Sequence, residues 1–140
     1  MIKVYCFGNP HVSGDTLALE LADSLNVEGF EFIKCTNPAQ LPMGEELLIL
    51  DVVKGIKRVG LLMDLKKLEQ HNTVSAHDLD LGHWLQMGEK VGLIKGVKII
   101  GLPPGIGKTE AKREVELILW GLLIKRPKIG HIHYYTEKTL

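Results

Sequence analysis

Apolar residues run along this chain in two rhythms. Short continuous runs alternate with stretches in which apolar residues return every three or four positions. "IKVYCFG" is the first run and stops at Gly8; its length and content predict a buried strand. In "DTLALELADSL", Leu17, Leu21 and Leu25 recur at helical spacing with Ala18 and Ala22 beside them. "FEFIKC" predicts a second strand. "ELLILDVV" predicts a third, apolar enough to be covered on both faces as parallel strands are. "KGIKRVG" reads as a turn and "LLMDL" as a short strand returning antiparallel. "SAHD" opens a helix, with Ser75 and Asp78 in the spacing of a capping box. Leu81, Trp84, Leu85 and Met87 are expected to supply much of its apolar side. "VKIIGL" predicts the last strong strand. The helix that begins near Thr109 is apolar almost all round from Leu117 to Ile124, which predicts deep burial.

Strands that alternate with helices in this way predict an α/β fold: a three-layer sandwich with a mostly parallel, twisted sheet of about five strands flanked by helices. No repeat, low-complexity tract or linker interrupts the pattern, so residues 1–140 read as one domain, long enough to bury a sizeable core.

Composition narrows the function. Lys and Arg number 17, and so do Asp and Glu. That balance argues against a protein held on nucleic acid by phosphate neutralisation, which needs a basic surplus. It also disfavours a peptidyl-tRNA hydrolase, a fold-level analogue. Cys6 and Cys35 form no CxxC pair and read as reduced core thiols. The N-terminus carries no signal-peptide run, and no stretch approaches the roughly 18 consecutive apolar residues of a membrane helix. The expectation is a soluble, cytoplasmic chain without membrane insertion.

"PPGIGKT", Pro103 to Thr109, lies between a strand-like and a helix-like run and echoes a phosphate-binding loop. Gly107, Lys108 and Thr109 match the end of G-x-x-x-x-G-K-[ST], but Leu102 stands where the first Gly belongs. Only about thirty residues follow, and no later strand can bring a Walker-B Asp to magnesium. The plainer expectation is a Pro-Pro-Gly loop with Thr109 capping the next helix, and no nucleotide.

In an open α/β sheet, ligands gather beyond the carboxyl ends of the strands. "GNPHVSGD" follows the first strand and delivers Asp15 at the start of a helix, where the dipole favours an acid. Asp51 ends the third strand after "LLIL". A carboxylate directly after a buried run is costly without a partner, a metal or solvent. His77 stands in "SAHD". If the fourth strand is antiparallel, "KKLEQHNTVSA" must cross back, and about ten extended residues reach roughly 33 Å. Asp15, Asp51 and His77 then converge as an O,O,N set suited to a borderline divalent metal such as nickel or zinc. The ordinary alternatives are a helix-start carboxylate, a strand-end cap and a structural imidazole.

The segments "FGNPHVSGDTLALELADSL", "LLILDVVKG" and "SAHDLDLG" resemble the three signature regions of the nickel–iron hydrogenase maturation endopeptidases, over most of the chain. "VKIIGLPPG" resembles that family's late strand and Pro-containing loop. Gly8 and Asn9 match the start of the first motif, and Asp15 falls at its metal-binding acid. Asp51 matches the acid ending a buried strand, and His77 the histidine before a helix. The family's acidic pair is here Gly14-Asp15, its glycine three positions on is Ala18, and the second acid after the third strand is Lys54. The resemblance implies an α/β sandwich and a cytoplasmic, aspartic-type endopeptidase. It implies removal of the C-terminal extension of a nickel-loaded hydrogenase large-subunit precursor. The nickel, carried by the substrate, would meet Asp15, Asp51 and His77. Asp15 and Asp51 would be the catalytic carboxylates, and Gly8, Asn9 and His11 would lie against substrate. Two other readings stay open: a non-proteolytic relative that binds metal or large subunit, suggested by the altered first motif, and a nucleotide-binding protein using "PPGIGKT".

Three features remain. "HIHYY" puts His131 and His133 on one face of an extended tail, a metal-binding pattern whose plainer reading is an edge strand. His11 reads as a solvent-facing loop residue unless it reaches substrate. "KGIKRVG" gathers Lys54, Lys57 and Arg58 beside Asp51; a solvated turn is the ordinary reading, a dock for an acidic partner surface the alternative.

Overall fold

The computed structural model describes residues 1–63, 76–123 and 134–135, with backbone alone at 76–80 and 134–135. Within them the chain forms β1 (Ile2–Phe7), α1 (Leu17–Ser24), β2 (Phe30–Cys35), a short 3-10 turn (Pro38–Gln40) and β3 (Glu46–Val52). There follow β4 (Gly60–Leu62), α2 (Ala76–Lys90), β5 (Gly96–Leu102), α3 (Lys108–Leu123) and β6 (Tyr134–Tyr135). The described strands make one sheet in the order β2-β1-β3-β5-β4-β6. β1, β2, β3 and β5 are mutually parallel. The expected antiparallel return is β4, registered Gly60↔Gly101, Leu61↔Ile100 and Leu62↔Ile99. β6 adds an edge strand of two residues alongside β4, from the "HIHYY" tail; His131 and His133 lie outside the described residues.

Alternation along each strand feeds two cores, because successive side chains point to opposite faces of a sheet. Val4, Cys6, Leu50, Val52, Ile100 and Leu102 face one side, where α1 adds Ala18 and Leu21, its C-cap residue Leu25 joins them, and α3 adds Ala111, Val115, Ile118 and Leu119. Tyr5, Phe7, Leu47, Ile49, Val97 and Ile99 face the other, covered by Leu81 and Leu85 of α2. The result is the expected α/β/α sandwich, with α1 and α3 on one face and α2 on the other.

Three expectations are corrected. Trp84 and Met87 do not join Leu81 and Leu85 in the core: they are 39% and 48% exposed. Only the narrow stripe of α2 that includes Leu81 and Leu85 meets the sheet, and one step round the helix lies outside it. Trp84 and Met87 instead line an apolar groove of about 150 Å³ with Leu41, Met43, Val91 and Leu93, where α2 ends. The C-terminal half of α3 is buried on one side only: Ile118 and Leu119 join the core against the sheet and Gly121 is buried, while Trp120 is 57% exposed. Thr109 does not cap α3, because the helix already begins at Lys108. Ser75 of the expected capping box lies outside the described residues.

Candidate metal-directed carboxylate site

The connection from β1 to α1 folds back on itself. The Val12 amide donates to the Asn9 carbonyl at 3.1 Å, and the Asp15 amide to the Val12 carbonyl at 3.1 Å, so two tight turns follow one another. Pro10 presets the first, since its ring fixes φ near the value a turn needs. Gly14 sits at φ +84 in the second, a conformation that costs glycine nothing. The Asn9 side chain stiffens the loop by accepting the His11 amide at 2.9 Å.

This geometry returns Asp15 to the end of β1. The Asn9 amide donates both to the Asp15 carbonyl at 2.9 Å and to Asp15 Oδ2 at 3.1 Å. Gly8 makes the approach possible: a Cβ built there would stand 2.5 Å from the Asp15 carbonyl oxygen and 3.0 Å from the Leu19 side chain. Asp15 is thereby 6% exposed, on the threshold of α1, whose positive end favours an anion.

Asp51 reaches the same end of the sheet by strand pairing. It is the penultimate residue of β3, one place earlier than a strand-end cap, and it is fully buried. It alternates with Leu47 and Ile49 and so belongs to the face covered by α2. Its Oδ1 accepts the Val52 amide at 2.9 Å. On β5 its register partner is Gly101. On the other side β1 pairs Tyr5 with Ile49 and Cys6 with Leu50, and one further step brings Phe7 level with Asp51. Two buried carboxylates therefore stand at the carboxyl ends of adjacent parallel strands.

His77 is the second residue of α2. A tight turn joins the end of α2 to β5, with the amides of Leu93 and Ile94 donating to the Gly88 carbonyl at 2.9 and 3.1 Å. α2 thus runs back across the sheet, and its 15 residues cover about 22 Å. That carries the backbone of its first turn toward the end where Asp15 and Asp51 lie. The His77 side chain is outside the described residues, and among the described residues no three metal-ligating side chains form a cluster.

The remaining sequence candidates fall as follows. Gly8 and Asn9 support Asp15 from beneath, a role visible only once the loop closes. His11 is exposed on the same loop. Leu102, at the first glycine of the phosphate-loop pattern, is fully buried in β5. Gly105 turns the chain at φ +80 before Lys108 opens α3. Cys6 and Cys35 are buried on adjacent strands but on opposite faces, and both are free thiols. Burial pushes the Cys6 thiol up to about 12, with Cys35 adding to the shift; burial likewise raises Cys35. A thiol so far from ionising is no nucleophile at neutral pH. No helix among the described residues is long and apolar enough to cross a membrane.

No protein-family model matches the sequence, and no curated protein sequence matches it. Solved structures do match the fold. The solution structure of the endopeptidase HycI from Escherichia coli superposes with a TM-score of 0.66 at 17% identity, covering 98% of this chain and 99% of that one. The hydrogenase maturating endopeptidase HybD from E. coli gives 0.62 at 17% identity, over 89% of this chain and 91% of that one. A hydrogenase 2 maturation peptidase from a Thaumarchaeota archaeon gives 0.50 at 18% identity, over 89% and 99%. This chain therefore shares the fold of these peptidases across nearly its whole length.

Proposed function

We propose that this chain is a hydrogenase maturation endopeptidase, which removes the C-terminal extension of a nickel-loaded large-subunit precursor. The observation that carries the reading is the pair of buried carboxylates, Asp15 and Asp51, at the carboxyl ends of adjacent strands β1 and β3. They stand in a fold shared with peptidases of that name.

On this reading the nickel arrives with the substrate. Asp15 and Asp51 offer oxygen donors and His77 an imidazole, a set that suits a borderline divalent ion. Buried carboxylates gain from such a charge, because burial penalises the anionic form. The bound ion polarises a carbonyl as a Lewis acid. A carboxylate held beside it serves as general base toward the attacking water. The Asn9 amide fixes Asp15 before the substrate arrives, so little reorganisation remains for the reaction.

The test is intact-mass analysis of a large-subunit precursor incubated with the protein, with and without nickel. Loss of a C-terminal peptide from the nickel-loaded precursor alone is the expected result. A stable complex without mass loss would instead favour the non-proteolytic reading.

A further inference from the structure

The turn that leaves β3 is held more firmly than a solvated loop. Val53, Ile56 and Val59 are buried at 0%, 5% and 5% exposure. Val53 and Ile56 enter the core beneath α2, and Val59 enters the core on the other face. The Val53 amide donates to the Leu102 carbonyl at 2.9 Å, and Gly55 turns the chain at φ +87. Between these anchors Lys54 is half-buried while Lys57 and Arg58 are exposed. A rigid platform therefore presents cations at fixed places, at less entropic cost than a mobile loop would incur.

The platform adjoins the carboxylates. Lys54 is three residues beyond Asp51, a separation of at most about 10 Å along extended chain. The connections that leave β1, β3 and β5 span 8–16, 53–59 and 103–107. Asp15 is the only acid in them, against Lys54, Lys57 and Arg58. At Lys54, Lys57 and Arg58 a bare metal cation finds no attraction, although Asp15 and Asp51 lie close by. A substrate that brings carboxylates alongside its metal meets attraction instead.

We propose that Lys54 and Lys57, with Arg58 beside them, dock an acidic segment of the protein substrate next to the point where its metal meets Asp15 and Asp51. This rests on the endopeptidase reading above. Complementary charge of this kind steers encounter and fixes register. Nucleic acid is the poorer match: the chain has 17 basic and 17 acidic residues and so no surplus to release counterions along a phosphate backbone.

The experiment is fluorescence anisotropy with a short Glu-rich peptide, its Gln-rich counterpart and a single-stranded oligonucleotide. Each is titrated with the wild-type chain and with Lys54→Gln/Lys57→Gln and Lys54→Glu/Lys57→Glu doubles of unchanged thermal midpoint. The Glu-rich peptide should bind the wild type in preference to the other two. It should lose about tenfold or more in affinity in either double. Its binding should also weaken between about 20 and 200 mM salt, as the screening length falls from roughly 20 Å to under 10 Å. Equal binding of the Gln-rich peptide, no loss in the doubles, or tighter binding of the oligonucleotide would overturn the proposal. A second arm follows precursor cleavage, in which the doubles should raise KM and leave kcat unchanged. An unchanged KM would overturn the docking role while the endopeptidase reading stood. Absence of cleavage by the wild type, with the peptide result intact, would overturn the endopeptidase reading while the acidic-segment dock stood.

Discussion

One backbone amide holds Asp15 at two points: the N–H of Asn9 donates to the Asp15 carbonyl at 2.9 Å and to Asp15 Oδ2 at 3.1 Å. The bond to the carbonyl closes the loop and the bond to the carboxylate aims the side chain. Because the donor is main chain, the arrangement depends on the path of residues 8–15 more than on the Asn9 side chain.

Gly8→Ala is the most direct perturbation of that path. Its new Cβ would lie 2.5 Å from a backbone oxygen, which cannot rotate aside as a side chain can. A loss of about 2–3 kcal/mol is expected, as for overpacking at a closed site. Thermal unfolding should show it as a fall of roughly 5–15 °C. Cleavage measured well below that midpoint should still be lost, because Asp15 is displaced.

Gly101→Ala perturbs the core at the register partner of Asp51. The added Cβ would meet Leu62 Cδ1 at 2.7 Å, Ile56 Cδ1 at 2.9 Å and Val53 Cγ2 at 3.3 Å. These are side-chain ends that yield in part, so about 1–2 kcal/mol is expected from urea unfolding, less than for Gly8→Ala. A cost equal to or above that of Gly8→Ala would mean that this part of the core cannot relax.

The buried thiol of Cys6 gives a pH dependence of known sign. In the folded chain burial, then Cys35, pushes its pKa from about 9 up to about 12. Between those values the folded state keeps a proton that the unfolded state has released. Stability therefore falls as pH rises through this window, by about tenfold in the folding constant per pH unit. Urea titrations across the window should show a shallower fall for Cys6→Ala than for the wild type. Identical slopes would place the thiol in a wetter setting.

Magnesium–ATP should give no binding heat by calorimetry, and Lys108→Ala should change nothing in that trace. Leu102 is fully buried within β5, so no glycine there frees the backbone to wrap a phosphate. Binding that depends on Lys108 would revive the nucleotide reading.

Much of the fold was legible because the apolar runs carry it. "FEFIKC" became Phe30–Cys35 without adjustment, and "LLMDL" supplied the antiparallel β4. The acids could be located because Asp15 closes the loop after the first strand at the start of a helix and Asp51 directly follows the apolar run "LLIL". Helix faces were harder. Leu81 and Trp84 have the same helical spacing as true core pairs, and only the packed sheet decides that Leu81 is inside and Trp84 outside. Roles for Gly8 and Asn9 were out of reach for another reason: the contacts are made by main-chain atoms, which one-letter sequence does not distinguish. In the same way, "KGIKRVG" reads as a solvated turn until Val53, Ile56 and Val59 are seen to enter the cores.

The account turns on Asp15, Asp51 and His77 acting together on a metal-bearing substrate. The most direct measurement is the initial rate of C-terminal peptide release from a nickel-loaded precursor, followed by mass spectrometry, for the wild type, Asp15→Asn, Asp51→Asn and His77→Ala. Residues that act as one unit lose nearly everything when any one is removed. The account predicts release by the wild type and a loss of at least about a hundredfold in each variant, with native thermal midpoints for Asp15→Asn and His77→Ala. Release at the wild-type rate by any folded variant, or release from nickel-free precursor at the same rate, would contradict it.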